Sequence, residues 1–292
     1  MRMSKSSIDQ TKRWCQPKVN PLLVAAIWTL NTSLPATTRR LTTGLFSTSM
    51  IWLSKGSRKF KWETVDTDVV VLCAAYFHEI PGLEELWILF GTGTSAKNIP
   101  IHSIAERLGP EKCRGLLGFH AMKGCDSNSA FYGQGKKGPW SIWKDNLQFT
   151  EAFAYISSTP ETIPDNIKSL LHAFIVKVYA PDLDEASVNR ARFELFHYSG
   201  KDFDSMPPTE DATDLHILRA AYVAGHIWGQ ALLKTPTLPS PSDWGYKQLE
   251  DGSWAPIWTT KPTISKKHLH ISHCKIRCQP PCTCVVNSVC CT

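Results

Sequence analysis

The sequence predicts an α/β fold in which a short run of strands gives way to a mainly helical second half and an irregular Cys-rich tail. Three observations carry that prediction. Two compact apolar runs, Val69-Val70-Val71-Leu72 and Leu86-Trp87-Ile88-Leu89-Phe90, are short and bounded by polar or glycine residues, as buried strands are. From residue 164 onward, apolar residues recur at helical spacing over 164–179, 185–198 and 214–233. The last 19 residues crowd together six of the ten cysteines and show no period.

The bulk composition supports a packed chain. A hydrophobic content of 42% with 10% aromatics excludes a disordered polymer. The net charge of +6 fits a polyanion partner, but it is unevenly spread. Residues 1–60 hold ten Lys or Arg and one acid, Asp9, and the remainder is slightly acidic. No run reaches the roughly 18 apolar residues that span a bilayer, so no membrane partner is expected. The apolar stretch 21–30 follows basic residues, which makes a signal peptide or a mitochondrial transit peptide a minor reading. A secreted disulfide scaffold spreads its cysteines through the fold. A terminal cluster behind a Cys-poor body points instead to a reducing compartment, nuclear or cytoplasmic.

In chain order, residues 1–60 read as a poorly organised basic segment with one short helix near 22–30. Residues 61–145 read as an α/β unit. Val69–Leu72 is expected as its first strand, headed by Asp66-Thr67-Asp68, and Leu86–Phe90 as its second, ended by Gly91-Thr92-Gly93. A helix over 101–108 stops at Gly109-Pro110, and a second over 111–122 leads into Gly124-Cys125-Asp126. Gly133-Gln134-Gly135-Lys136-Lys137 reads as a glycine-basic turn, followed by a helical pattern at 141–144. Residues 146–235 form the helical region, expected to pack on the α/β unit. Three prolines in 235–242 end it. An extended Pro/Trp-rich segment over 236–269 and the Cys-rich 270–292 close the chain.

Three acids draw attention. Residues two apart on a regular strand face the same side, so Asp66 and Asp68 would repel unless a cation neutralised them. Mg²⁺ or Mn²⁺ suits hard oxygen ligands and keeps several waters. Two such ions activate a water and stabilise the leaving oxygen of a phosphodiester. The tripeptide by itself reads more simply as a solvated strand start. Asp126, lying between an apolar helix and the glycine-basic turn, adds a third carboxylate. Gly133 and Gly135 offer backbone amides to a phosphate, and Lys136 and Lys137 add charge. The glycine spacing is not that of a P-loop.

These motifs carry a resemblance. Asp66-Thr67-Asp68-Val69-Val70-Val71-Leu72, then Gly124-Cys125-Asp126, then Gly133-Gln134-Gly135-Lys136-Lys137 resemble, in order and spacing, segments of the PIN-like flap-endonuclease superfamily. A closer likeness is to a group of transposon-like multicopy animal proteins. The shared motifs there are Phe90-Gly91-Thr92, Ile99-Pro100-Ile101-His102, Phe119-His120-Ala121 and the run from Gly124 to Lys136. Pro207-Pro208-Thr209, His216 to Ala220, and the terminal cysteines also fit. The likeness covers roughly residues 64–292. It implies a partial PIN-like parallel sheet with flanking helices, Asp66, Asp68 and Asp126 as catalytic Mg²⁺ or Mn²⁺ ligands, and a nucleic-acid partner gripped through the glycine turn. One departure matters. Both groups carry further acids one helix upstream of D-x-D, and residues 1–62, with Asp9 as their one acid, hold nothing that matches them, which leaves the implied metal site part-built. A nuclease without all its acids and a non-catalytic nucleic-acid-binding or scaffold protein of mobile-element origin are therefore both open.

Other polar residues read more plainly. His102 and His120 could assist near the metal, but are expected more simply as satisfied structural residues. His216 and Arg219, three apart on one helical face, and His226 read as core or surface structure. Cys274, Cys278, Cys282, Cys284, Cys290 and Cys291 suit Zn²⁺, which takes four S or N ligands, although the spacing is not a paired C-x-x-C. Disulfides or a reduced tail are the alternatives.

Overall fold

The computed structural model describes residues 58–261, apart from 136, 200–204 and 234. The expected helix near 22–30, Lys136 and the Cys274–Cys291 cluster lie outside the described residues.

The architecture is mixed α/β, with a small three-stranded sheet and a larger set of helices. Strand β1, Lys59–Thr64, alternates a buried Phe60 and half-buried Trp62 with exposed Lys59 and Glu63. The sequence reading places no strand here, because two aromatics among Lys and Arg look like a solvated stretch. β1 pairs in parallel with β2, Glu85–Phe90, with Phe60 opposite Leu86 and Trp62 opposite Ile88. β3, Lys97–Pro100, runs antiparallel to β2 at the other side, Ile88 facing Ile99. The sheet is thus mixed rather than parallel. Residues 91–96 are too few for the crossover of about a dozen residues that a parallel return needs, so β3 must double back.

The run after the D-x-D is a helix, not a strand. α1 spans Thr67–Tyr76, and Asp66 is its N-cap: its carboxylate accepts from the Asp68 backbone N–H at 2.9 Å. A capping aspartate and an acid in the first turn start a helix. The buried positions Val69, Leu72, Cys73 and Tyr76 fall at i, i+3, i+4 and i+7. The Val triplet disguises that period as a β-branched run.

β3 leads directly into α2, Ile101–Lys123, which is broken at Gly109 (φ 75°) before Pro110. Gly109 is non-helical, so two helical segments meet at a kink there, in keeping with the expected stop at Gly109-Pro110 between helices over 101–108 and 111–122. Pro110 cannot supply an N–H to the first segment and is suited to opening the second. α2 packs on α1 and on α4, Phe149–Ser157. Gly118 makes the second contact close: a Cβ there would stand 2.4 Å from the Phe153 carbonyl oxygen. Its N–H donates to Ser157 Oγ at 2.8 Å.

The remaining helices follow the expected periods: α3 Lys137–Asp145, α5 Asp165–Tyr179, α6 Val188–Ser199 and α7 Glu210–Ala221, the last running into a π-helical turn, Tyr222–Trp228. One main hydrophobic cluster runs from Phe60 in the sheet to Tyr246. Its aromatic centre is Trp143, stacked on Phe119 at 4.8 Å and edge-on to Phe153 at 5.0 Å. The Pro/Trp-rich segment is less extended than expected. It holds a 3-10 turn, Pro241–Trp244, and a small hairpin of β4, Tyr246–Gln248, and β5, Trp254–Pro256. Among the described residues, no helix is long and apolar enough to cross a membrane.

Candidate nucleic-acid site around Asp68 and Asp126

Parallel strands present their carboxyl ends to loops that lead into helices, and such edges are where α/β sheets place ligands. β1 ends at Thr64, whose Oγ1 accepts from the Asp66 N–H at 3.0 Å. That bond turns the chain into α1 and sets both acids at the helix start. Asp68, in the first turn, sits in the favourable field of the helix N-terminus. Its Oδ1 lies 2.8 Å from His120 Nε2, a partner supplied by the last turns of α2. The His120 ring in turn tilts over Trp228, with centroids 5.6 Å apart.

Asp126 arrives on a tight loop. Gly124 has φ 98°, and a Cβ on it would meet Ala130 Cα at 2.6 Å, so only glycine lets the chain fold back there. Cys125 and Asn128 then exchange backbone hydrogen bonds of 3.0 and 3.2 Å, leaving Asp126 exposed at the tip. The loop is pinned from several sides. Buried Asn128 donates through Nδ2 to the Ala121 carbonyl at 3.1 Å, and the Tyr246 hydroxyl donates to the Ser127 carbonyl at 3.2 Å. Burial pushes the Cys125 thiol up to about 11, and both Asp68 and Asp126 add to that shift. Cys73, Cys113 and Cys125 are free thiols, and burial raises the pKa of each.

The three predicted acids are only partly gathered. Asp66 and Asp68 share a helix start, and Asp126 stands on the separate turn between Cys125 and Asn128. Among the described residues, no three His, Cys, Asp or Glu group so as to hold a metal ion. The donor chemistry still suits a hard cation, since Mg²⁺ is commonly held by one or two carboxylates and water.

The glycine-basic turn follows at once. Gly133 (φ 69°) and Gly135 are exposed, with no atom within 4 Å of where a Cβ would stand, and Lys137 is exposed at the start of α3. Sequence reasoning missed the cation beneath it. Lys123, only 6% exposed, ends α2, and its Nζ lies 3.4 Å from the Gln134 carbonyl and 5.3 Å from the Phe131 ring centre. Burial pushes its ammonium down to about 8. No carboxylate among the described residues pairs with it. The available signal was a lysine directly after the interior residues Ala121 and Met122, which no helical period explains.

The histidines divide. His102 is structural: its Nδ1 lies 3.1 Å from the Leu86 carbonyl and its ring meets Trp87 edge-on. His120 is at the acids. His216 is buried, donating from Nε2 to the Met122 carbonyl at 2.9 Å, with Nδ1 3.3 Å from Ser129 Oγ. Burial lowers its pKa to about 4, so it stays neutral in the fold. The unfolded chain takes up that proton near 6.5. Stability from this group is thus full above 6.5, declines as pH falls to about 4, and is level below. We expect the urea midpoint of the wild type to fall between pH 7 and pH 4.5 by more than that of His216→Gln, which keeps a donor and an acceptor but does not titrate. Equal falls would contradict a buried neutral His216. A basic and acidic cluster not foreseen from sequence joins α5 to α7: Lys168 Nζ and His172 Nε2 each lie 2.8 Å from Asp214.

No family model, no curated protein and no solved structure matches this chain.

Proposed function

We propose that this chain is a PIN-like protein of the flap-endonuclease superfamily that hydrolyses phosphodiester bonds in nucleic acid with Mg²⁺ or Mn²⁺. One observation carries the reading: Asp66 and Asp68 stand at the start of α1, just beyond the carboxyl end of β1, where His120 of α2 reaches Asp68 at 2.8 Å, and the Asp126 loop follows the end of that same helix. The order of D-T-D, G-C-D and the glycine-basic turn in the sequence supports it. Asp66, Asp68 and Asp126 would hold the cation, which when bound would polarise the phosphodiester and activate water. Gly133, Gly135, Lys136 and Lys137 would contact backbone phosphates, and Cys274, Cys278, Cys282, Cys284, Cys290 and Cys291 would hold Zn²⁺.

A second reading has its own observation. Asp68 is engaged by His120 at 2.8 Å, and the described residues gather no three-ligand group. On that reading the chain binds nucleic acid without cutting it. Cleavage assays separate the two. With single-stranded, duplex and flapped DNA and RNA in Mn²⁺, the nuclease reading predicts metal-dependent products from the wild type and a loss of about 100-fold or more in Asp126→Ala. Binding with no cleavage by the wild type selects the second reading.

A further inference from the structure

Tyr132 follows the buried Phe131 and opens the glycine turn, 73% exposed. Phe131 is anchored against Tyr179 and His216, so the chain just before Tyr132 is fixed. The ring therefore projects from a held base into water. Beside it, Gly133 and Gly135 leave the backbone open to close approach. Lys137 is exposed at the far end of the turn, and the Lys123 ammonium lies beneath Gln134, on its carbonyl at 3.4 Å. An aromatic face, open glycine backbone and cationic charge are thus placed within one short segment, directly after the Asp126 loop.

We propose that the Tyr132–Gly135 turn takes single-stranded nucleic acid, with the Tyr132 ring stacked on an unpaired base and the adjoining phosphate held by the turn's amides and Lys137. The inference rests on the nucleic-acid reading above and names the substrate class of that site. Phosphate contacts alone do not distinguish single from double strands, because both carry the same backbone groups. The ring does. In a duplex each base is covered on both faces by its neighbours, so a ring at the tip of a turn finds no free face. An unpaired base offers one, whatever its identity, and stacking of this kind tolerates any sequence. Lys123 acts through its field from below, since its amine is covered by the turn.

The test uses the full chain and fluorescence anisotropy with labelled probes of equal length. These are a single-stranded DNA, a single-stranded RNA, a duplex, and an abasic strand that keeps the phosphates but lacks bases. Wild type, Tyr132→Ala and Tyr132→Phe are compared. Tyr132→Ala is expected to weaken binding of the two base-bearing single strands by about ten-fold, with Tyr132→Phe close to wild type. Duplex and abasic probes should be indifferent to both substitutions. Because Tyr132 is exposed, its replacement leaves the packed core untouched. Single-strand binding that is equal in wild type and Tyr132→Ala overturns the inference and leaves the nucleic-acid reading standing. A wild type that binds none of the four probes overturns both.

Discussion

Replacing Trp143 by Ala is expected to lower folding stability by about 4 kcal/mol, which is within the usual cost of truncating a buried Trp. The ring is 1% exposed and lies where α2, α3, α4 and α5 meet. It stacks on Phe119, meets Phe153 and Trp140 edge-on, and donates from Nε1 to Thr150 Oγ1 at 3.0 Å. Removal opens a cavity lined by rings that cannot collapse into it. It also leaves the Thr150 hydroxyl without its donor. Gly115 resists relaxation in particular, because it already lets the Trp143 ring approach to 3.1 Å of where a Cβ would stand. Urea unfolding should show a lower midpoint with an unchanged slope, and Trp143→Phe should recover part of the loss. A fall below about 1 kcal/mol would mean that this aromatic centre is not the core.

Replacing Lys123 by Met is expected to act in the opposite direction, raising stability at pH 7 by about 2 kcal/mol. Among the described residues no carboxylate pairs with this buried cation, which disfavours it, and burial holds its pKa at about 8 rather than in the usual lysine range. Its contact with the C-terminal end of α2 offsets part of that cost. The pH dependence has a definite sign. The unfolded chain keeps this proton to about 10.5 while the fold releases it near 8, so wild-type stability gains from Lys123 between those values and is level below them. The advantage of Lys123→Met in urea midpoint should therefore shrink between pH 7 and pH 9.5. On the proposed nucleic-acid reading, the same substitution should weaken binding and lower its salt dependence by less than the unit of slope that a direct phosphate contact contributes, because the amine is covered by the turn. A Met variant that is less stable at pH 7 would show that the ammonium is satisfied in the fold.

How much of this was legible in the sequence varies with the physics of each element. The helix over 164–179 was readable because one face is buried, and burial writes a 3.6-residue period; the pattern over 214–233 marked a helix too, but the α-helix ends at Ala221 and the Tyr222–Trp228 turn that follows is π-helical and buried throughout. Strand Leu86–Phe90 was readable because it is the middle strand, paired on both sides. Its neighbour β1 was not, since an edge strand with Lys59, Lys61 and Glu63 carries as much charge as a loop. The D-x-D segment misled for a different reason. Three consecutive valines hide the spacing of Val69, Leu72, Cys73 and Tyr76, and the deciding signal was Asp66 as a helix cap. The acids were singled out by type and order, but the pairing of Asp68 with His120 depends on α2 crossing α1, which no local pattern encodes. Lys123 escaped because a lysine at a helix end is ordinarily solvated, and only the fold reveals that the glycine turn covers it.

Titration of the full chain with Mn²⁺, followed by the loss of the free-ion paramagnetic resonance signal, tests the central claim most directly. Wild type, Asp68→Asn and Asp126→Asn should be run side by side, with cleavage of single-stranded DNA recorded on the same samples. If these acids form a catalytic metal site, the wild type withdraws Mn²⁺ from solution and cuts, and each substitution abolishes cleavage and weakens metal uptake. If the wild type leaves the Mn²⁺ signal unchanged and the DNA intact, Asp66, Asp68 and Asp126 are not a catalytic metal site in this chain.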